Sequence, residues 1–266
     1  MINPSPQNNS TPRNAVIGDC PLCLAPTVPL KRSHIVSDFL WRDSGLTGKG
    51  RTFAMWSETH PQLNRSRVQT GLWEHLLCLK CEGQCGKLES YAKPVLFGAT
   101  SPIVRRPTGH HVWTGLDYTR MKLFHMSILW RTAVSSLPFY AFVTLPDEEK
   151  ETLRAMLLAN DPGEPWQYGC LVDLLRYRNK PLLGIFSQPR RIPIRRDSCV
   201  RLILAGMQWF LFESKNKPQD APIEAFLSLR GTWPLLQGEA EDFDYLRYEI
   251  ADHKRRLLAH HRNQDT

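Results

Sequence analysis

Two C-x-x-C pairs, Cys20 with Cys23 in DCPLC and Cys78 with Cys81 in LLCLKCE, constrain this chain more than any other feature of its sequence. A C-x-x-C turn brings two thiolates onto one tight loop, and two such turns complete the four-thiolate tetrahedral set of a structural Zn2+ site. The pairs are 55 positions apart, from Cys23 to Cys78, so the chain has to fold back on itself around an inserted segment. Five of the seven cysteines, Cys85 included, fall in this early region. An odd number cannot all pair as disulfides, and the first residues lack the apolar core of an export signal. The spacing therefore reads as metal chemistry in a reducing, cytoplasmic setting. Residues 1–14, polar and rich in Pro, Asn and Ser, read as a flexible lead-in.

Charge points to an anionic partner. The chain of 266 residues has 34 Lys and Arg against 26 Asp and Glu, a formal charge of +8. Six of the eight surplus charges lie in the first 113 residues, so a polyanion is expected to meet the N-terminal part first. The best apolar stretch, residues 200–212, contains Arg201 and Gln208 and is far shorter than the ~20 residues a bilayer requires, so no membrane association is expected.

Local patterning places the cysteines on structure. Residues 28–31 read as a short strand with His34 just after it, ahead of a helix capped by Ser37 or Asp38. After the second pair, CEGQCGKLESYAKPV reads as a helix on which Glu82, Cys85 or Gly86, and Glu89 share one face. Gly83 and Gly86 weaken that helix by up to ~1 kcal/mol each, and they are expected to admit another backbone at close range. The insertion, residues 43–71, carries Lys49, Arg51, Arg65 and Arg67 around Phe53 and Trp56, a mixture suited to phosphates and bases.

This order of knuckle, strand, His34-Ile35, insertion, second knuckle and polar helix resembles the HNH endonucleases and their ββα-metal fold, over about residues 18–95. The resemblance implies a zinc-stapled module in which His34 acts as general base on water. A hard cation, Mg2+ or Mn2+, would be held near Glu82 and Glu89, and DNA phosphodiesters hydrolysed. Two positions depart from the family pattern: Ser33 stands where many members carry an acid, and Glu82 stands where an Asn or His follows the second knuckle. Ser127-Ile128-Leu129-Trp130-Arg131 is also similar to a segment of bacterial proteins that share the C-x-x-C, SHI and LLC-x-x-CE core. A role in anti-phage defence or on a mobile element follows by association alone.

The remainder reads as a second unit, residues 99–266 after the module at 15–98, so the expected class is α+β: a zinc-stapled ββα-metal-like module, then a mixed domain of helices and an antiparallel sheet. Residues 117–136 form an amphipathic core helix, and a second helix begins after Pro146. Strands are expected at 182–186, 199–205 and 208–213, and a closing helix at 243–259. Phosphate-binding glycine loops and the G-x-S-x-G elbow are absent. Two functions remain open on sequence: a metal-dependent endonuclease with His34, Glu82 and Glu89 at its centre, or a zinc-stabilised module that binds nucleic acid or a protein, or a second copy of itself, without catalysis.

Overall fold

The computed structural model describes residues 15–43, 53–54, 67–68, 70–98, 103–105, 111–178, 180–182 and 186–243. Along the chain these form β1 (Ile17–Gly18), β2 (Val28–His34), α1 (Asp38–Arg42), β3 (Phe53–Ala54), β4 (Arg67–Val68), β5 (Trp73–Cys78), α2 (Leu79–Phe97), β6 (Ile103–Arg105), β7 (His111–Trp113), α3 (Tyr118–Val134), α4 (Asp147–Ala159), β8 (Cys170–Tyr177), β9 (Lys180–Pro181), β10 (Arg190–Ile194), β11 (Asp197–Leu204), β12 (Met207–Phe212) and β13 (Trp233–Glu239). The class is α+β, with a cluster of four cysteines near the N-terminus. No described helix is long and apolar enough to cross a membrane.

Three antiparallel strands in the order β1-β2-β5 carry α2 directly after them. The larger sheet has the order β10-β11-β12-β8-β13-β7-β6, with β9 on β8. It is mixed and not purely antiparallel, because β13 returns parallel to β8 after the chain has run through the β10–β12 hairpins. The β11–β12 hairpin closes on Ala205 (φ 60°) and Gly206 (φ 73°), the pair of left-handed residues a two-residue turn of matching twist requires.

Helix α3 is the centre of the molecule. Asp117 caps it, Oδ1 accepting from Arg120 N at 2.9 Å, which contributes ~1 kcal/mol. The expected amphipathic pattern is not what the fold uses, since every residue from Met121 to Thr132 is buried. The helix packs against α2, α4 and β12, and most of its would-be polar face is bonded internally, although both ring nitrogens of the buried His125 have no hydrogen-bond partner among the described residues. Lys122 Nζ donates to Pro165 O (2.9 Å) and Gln167 O (2.5 Å), Ser127 to Phe124 O and Thr132 to Leu129 O. One apolar cluster runs from Cys20 and Leu22 under the first knuckle, through α3, to Leu235 of β13.

Other expectations are adjusted at their ends. The early strand extends three residues further, so His34 is its last residue and does not follow it. The expected strands at 199–205 and 208–213 are β11 and β12. Of the one expected at 182–186, Leu182 and Phe186 lie outside any strand, and 183–185 lie outside the described residues. The closing helix at 243–259 lies, after Phe243, outside the described residues as well. Gly83 and Gly86 have nothing within 4 Å of a Cβ built on them, so neither accommodates a neighbouring backbone.

Candidate metal centre and the polar network behind it

The first knuckle is a tight turn in which Leu24 N donates to Cys20 O at 2.8 Å and Cys20 N to Ala25 O at 2.9 Å. In the second, Cys78 ends β5 and caps α2, and Cys81 lies in the first helical turn. The β2–β5 ladder pairs Leu30 with Cys78 and carries the second knuckle to the first. The four sulfurs of Cys20, Cys23, Cys78 and Cys81 all lie within 4.8 Å of one another, and Cys23 Sγ is 3.7 Å from Cys78 Sγ. Tetrahedral Zn2+ with bonds of ~2.3 Å requires sulfurs ~3.8 Å apart, whereas a disulfide requires ~2.05 Å. The donor set and its spacing therefore fit zinc.

Electrostatics at the four sulfurs agrees with that fit. Burial acts to raise the Cys20 pKa, but backbone N–H groups around Cys23, Cys78 and Leu22 outweigh it and bring the thiol to about 7. Burial pushes Cys81 well up, with its neighbouring cysteines adding to the effect, and pushes Cys23 up as well. One thiolate forms readily here, but a second beside it is opposed until a cation enters. Helix α4 braces both knuckles: Arg154 Nη1 donates to Leu22 O at 2.7 Å, and Gln84 Nε2 donates to Leu157 O at 2.7 Å.

Behind the cysteines, one face of α2 presents Glu82, Cys85 and Glu89 to β2. Ser33, fully buried, donates from Oγ to Glu82 Oε2 at 2.5 Å and accepts from Leu77 N at 3.2 Å. Burial raises the Glu82 pKa, although the Ser33 hydroxyl and Arg131 pull the other way. Ser37 occupies the expected capping position of α1, but its hydroxyl donates to Glu89 Oε1 at 2.8 Å, a charge-assisted bond stronger than a cap. Cys85 is 5% exposed, and burial takes its thiol up to about 11. It packs, in keeping with an inert thiol. Glu89 does not pair with Lys93, which bonds Asp43 at 3.2 Å instead.

The partner of Glu89 is Arg131, which comes from α3 and which motif reasoning did not place in the site. Its guanidinium is 1% exposed. Nη1 donates to Glu89 Oε1 at 2.9 Å and to the backbone carbonyl of His34 at 2.6 Å, and Nη2 to Ser37 Oγ at 3.3 Å. Burial alone would lower its pKa, but Glu89, Cys85 and Glu82 hold the charge in place. The signal for this residue was its position: a charge at the end of the apolar run SILW inside a core helix is rarely buried unpaired.

His34 meets the network through its carbonyl and not through its ring. It stands opposite Trp73, and Arg32 opposite His75, so these four side chains share the outer face of the β2–β5 ribbon, whereas Ser33 and Glu74 share the inner one. The ring Nε2 is buried, 3.4 Å from Asp38 Oδ1 and not aligned as a hydrogen bond; Asp38 Oδ2 holds Arg42 at 2.7 Å. Burial lowers the imidazole pKa, with Asp38 and Glu89 opposing the shift. His75 is exposed on the outer face. Of the basic insertion, Lys49, Arg51 and Arg65 lie outside the described residues; Arg67 pairs with Ala54 in β4, and its side chain lies outside the described part. No family model, no curated protein and no solved structure matches the chain.

Proposed function

We propose that this protein is a zinc-stapled nucleic-acid-binding module that keeps an HNH-like strand, strand and helix frame but does not use it for hydrolysis. The observation that carries this reading is the Arg131 guanidinium. It bonds the carbonyl of His34 and Glu89 of α2, one of the two carboxylates that the resemblance would assign to the catalytic cation. A buried, fully charged guanidinium supplies the positive charge those groups need, and it repels a second cation. At 1% exposure it cannot itself reach a phosphate. Zn2+ at Cys20, Cys23, Cys78 and Cys81 would then serve the fold, and the basic surplus of the N-terminal half would serve binding.

A second reading, the metal-dependent endonuclease, draws on the His34 and Asp38 pair, in which a lowered pKa favours the neutral imidazole a general base needs. Incubation of the zinc-loaded protein with supercoiled plasmid in Mg2+ and in Mn2+ separates the two. The proposed function expects salt-dependent binding of nucleic acid and no nicking. Nicking that needs the added cation and disappears in His34→Ala, with zinc content unchanged, would establish the nuclease instead.

A further inference from the structure

The outer face of the β2–β5 ribbon has a specific chemistry that the zinc cluster does not explain. The Arg32 guanidinium lies over the Trp73 ring, 3.6 Å from its centroid, and His75 meets the same indole edge-on with ring centroids 5.6 Å apart. The ladder register slips between Lys31 and Arg32, and both side chains are exposed. The nearby acids among the described residues are committed elsewhere. Glu74 points to the opposite face, where it accepts from Ser136 N and Oγ, and Asp38 holds Arg42 and His34. The face therefore offers a planar cation already stacked on an indole and a second aromatic edge, with no acidic partner for that cation among the described residues.

We infer that this face is a stacking platform for single-stranded nucleic acid; the inference rests on the proposed binding function and names its ligand class and subsite. An indole and a guanidinium plane recognise the flat face of a base, which a duplex buries in its own stack and a single strand exposes. Arg32 held on Trp73 has already lost the rotamer freedom that binding would otherwise remove. His75 lies across the ladder from Arg32 and flanks the stack.

The test is fluorescence anisotropy of labelled oligothymidylate and oligouridylate against a duplex of equal length, with the full zinc-loaded chain at two salt concentrations. The platform expects the single strands to bind more tightly than the duplex. Trp73→Ala should weaken them by about 5- to 100-fold, as expected for the loss of one stacked base, and Trp73→Phe should recover most of the loss. Arg32→Lys keeps the charge but loses the plane, so it should weaken binding while leaving the salt dependence unchanged. Zinc content and melting temperature should match wild type in all three. If the wild type prefers duplex, or if Trp73→Ala and Arg32→Lys bind single strands as wild type does, the platform is wrong although the module still binds nucleic acid. If the wild type binds neither single strand nor duplex, the proposed function itself falls and takes the platform with it.

Discussion

Arg131 is the residue on which the reading of this molecule turns, and removing it has a calculable consequence. Arg131→Met keeps most of the apolar stem but deletes the guanidinium that serves Glu89, Ser37 and the carbonyl of His34. Breaking a buried ion pair by removing one partner costs about 3–5 kcal/mol, because the other charge is left uncompensated. The stranded group here, Glu89, retains 25% exposure and can draw in water, so the lower end, about 3 kcal/mol, is expected. Glu89→Gln strands the opposite partner, a guanidinium at 1% exposure, and should cost about 4–5 kcal/mol by the same reasoning. The double variant removes both members of the pair. Its cost should fall short of the sum of the single costs by about 1–3 kcal/mol, the coupling typical of groups in one network. Urea unfolding of zinc-loaded protein, followed by circular dichroism, measures all three. Additive costs, or an Arg131→Met variant within about 1 kcal/mol of wild type, would refute the reasoning and return the space beside Glu89 to a divalent cation.

Three further outcomes follow from the same structure. Purified protein should hold one Zn2+, and Cys20→Ser or Cys81→Ser should abolish zinc retention in a colorimetric release assay and unfold the N-terminal part, since binding energy at such a site is folding energy; a folded, zinc-free wild type would contradict this. Arg154→Ala removes the donor to Leu22 O inside the first knuckle and should weaken zinc affinity by about 10- to 100-fold in a chelator competition, as the loss of an outer support does. Asp173, 5% exposed in β8, has its pKa raised to about 6 by burial, against a backbone bond from Gly238. Its folded pKa lies above the unfolded 3.8, so the stability from its protonated form is complete below that value and is lost as pH rises through about 6. Asp173→Asn should therefore be more stable than wild type at pH 7 by about 1–3 kcal/mol, with the difference shrinking toward pH 4; thermal melts across that range measure it.

The sequence by itself determined what depends on local spacing. The C-x-x-C pairs bring their sulfurs together because each turn is closed within four residues, and the intervening strands need only pair once to unite them. The shared face of Glu82, Cys85 and Glu89 follows from helical periodicity, and the structure keeps it. The capping position of Ser37 and the start of α4 after Pro146 are local in the same sense. Tertiary structure alone decided what those groups face. Arg131 lies 97 positions beyond His34 in the chain, and nothing in local pattern states that α3 will be buried all round and deliver a cation to α2. Helical spacing gave α3 an amphipathic look, but packing between α2, α4 and the large sheet buried its polar residues, and Lys122, Ser127, Arg131 and Thr132 found internal partners. The same holds for the outer face of β2 and β5: one strand shows only Arg32 and His34, and it takes the ladder register to set His75 and Trp73 across from them. Pairing across a ladder and burial against a distant helix are decided by the free energy of the whole fold, which no window of sequence contains.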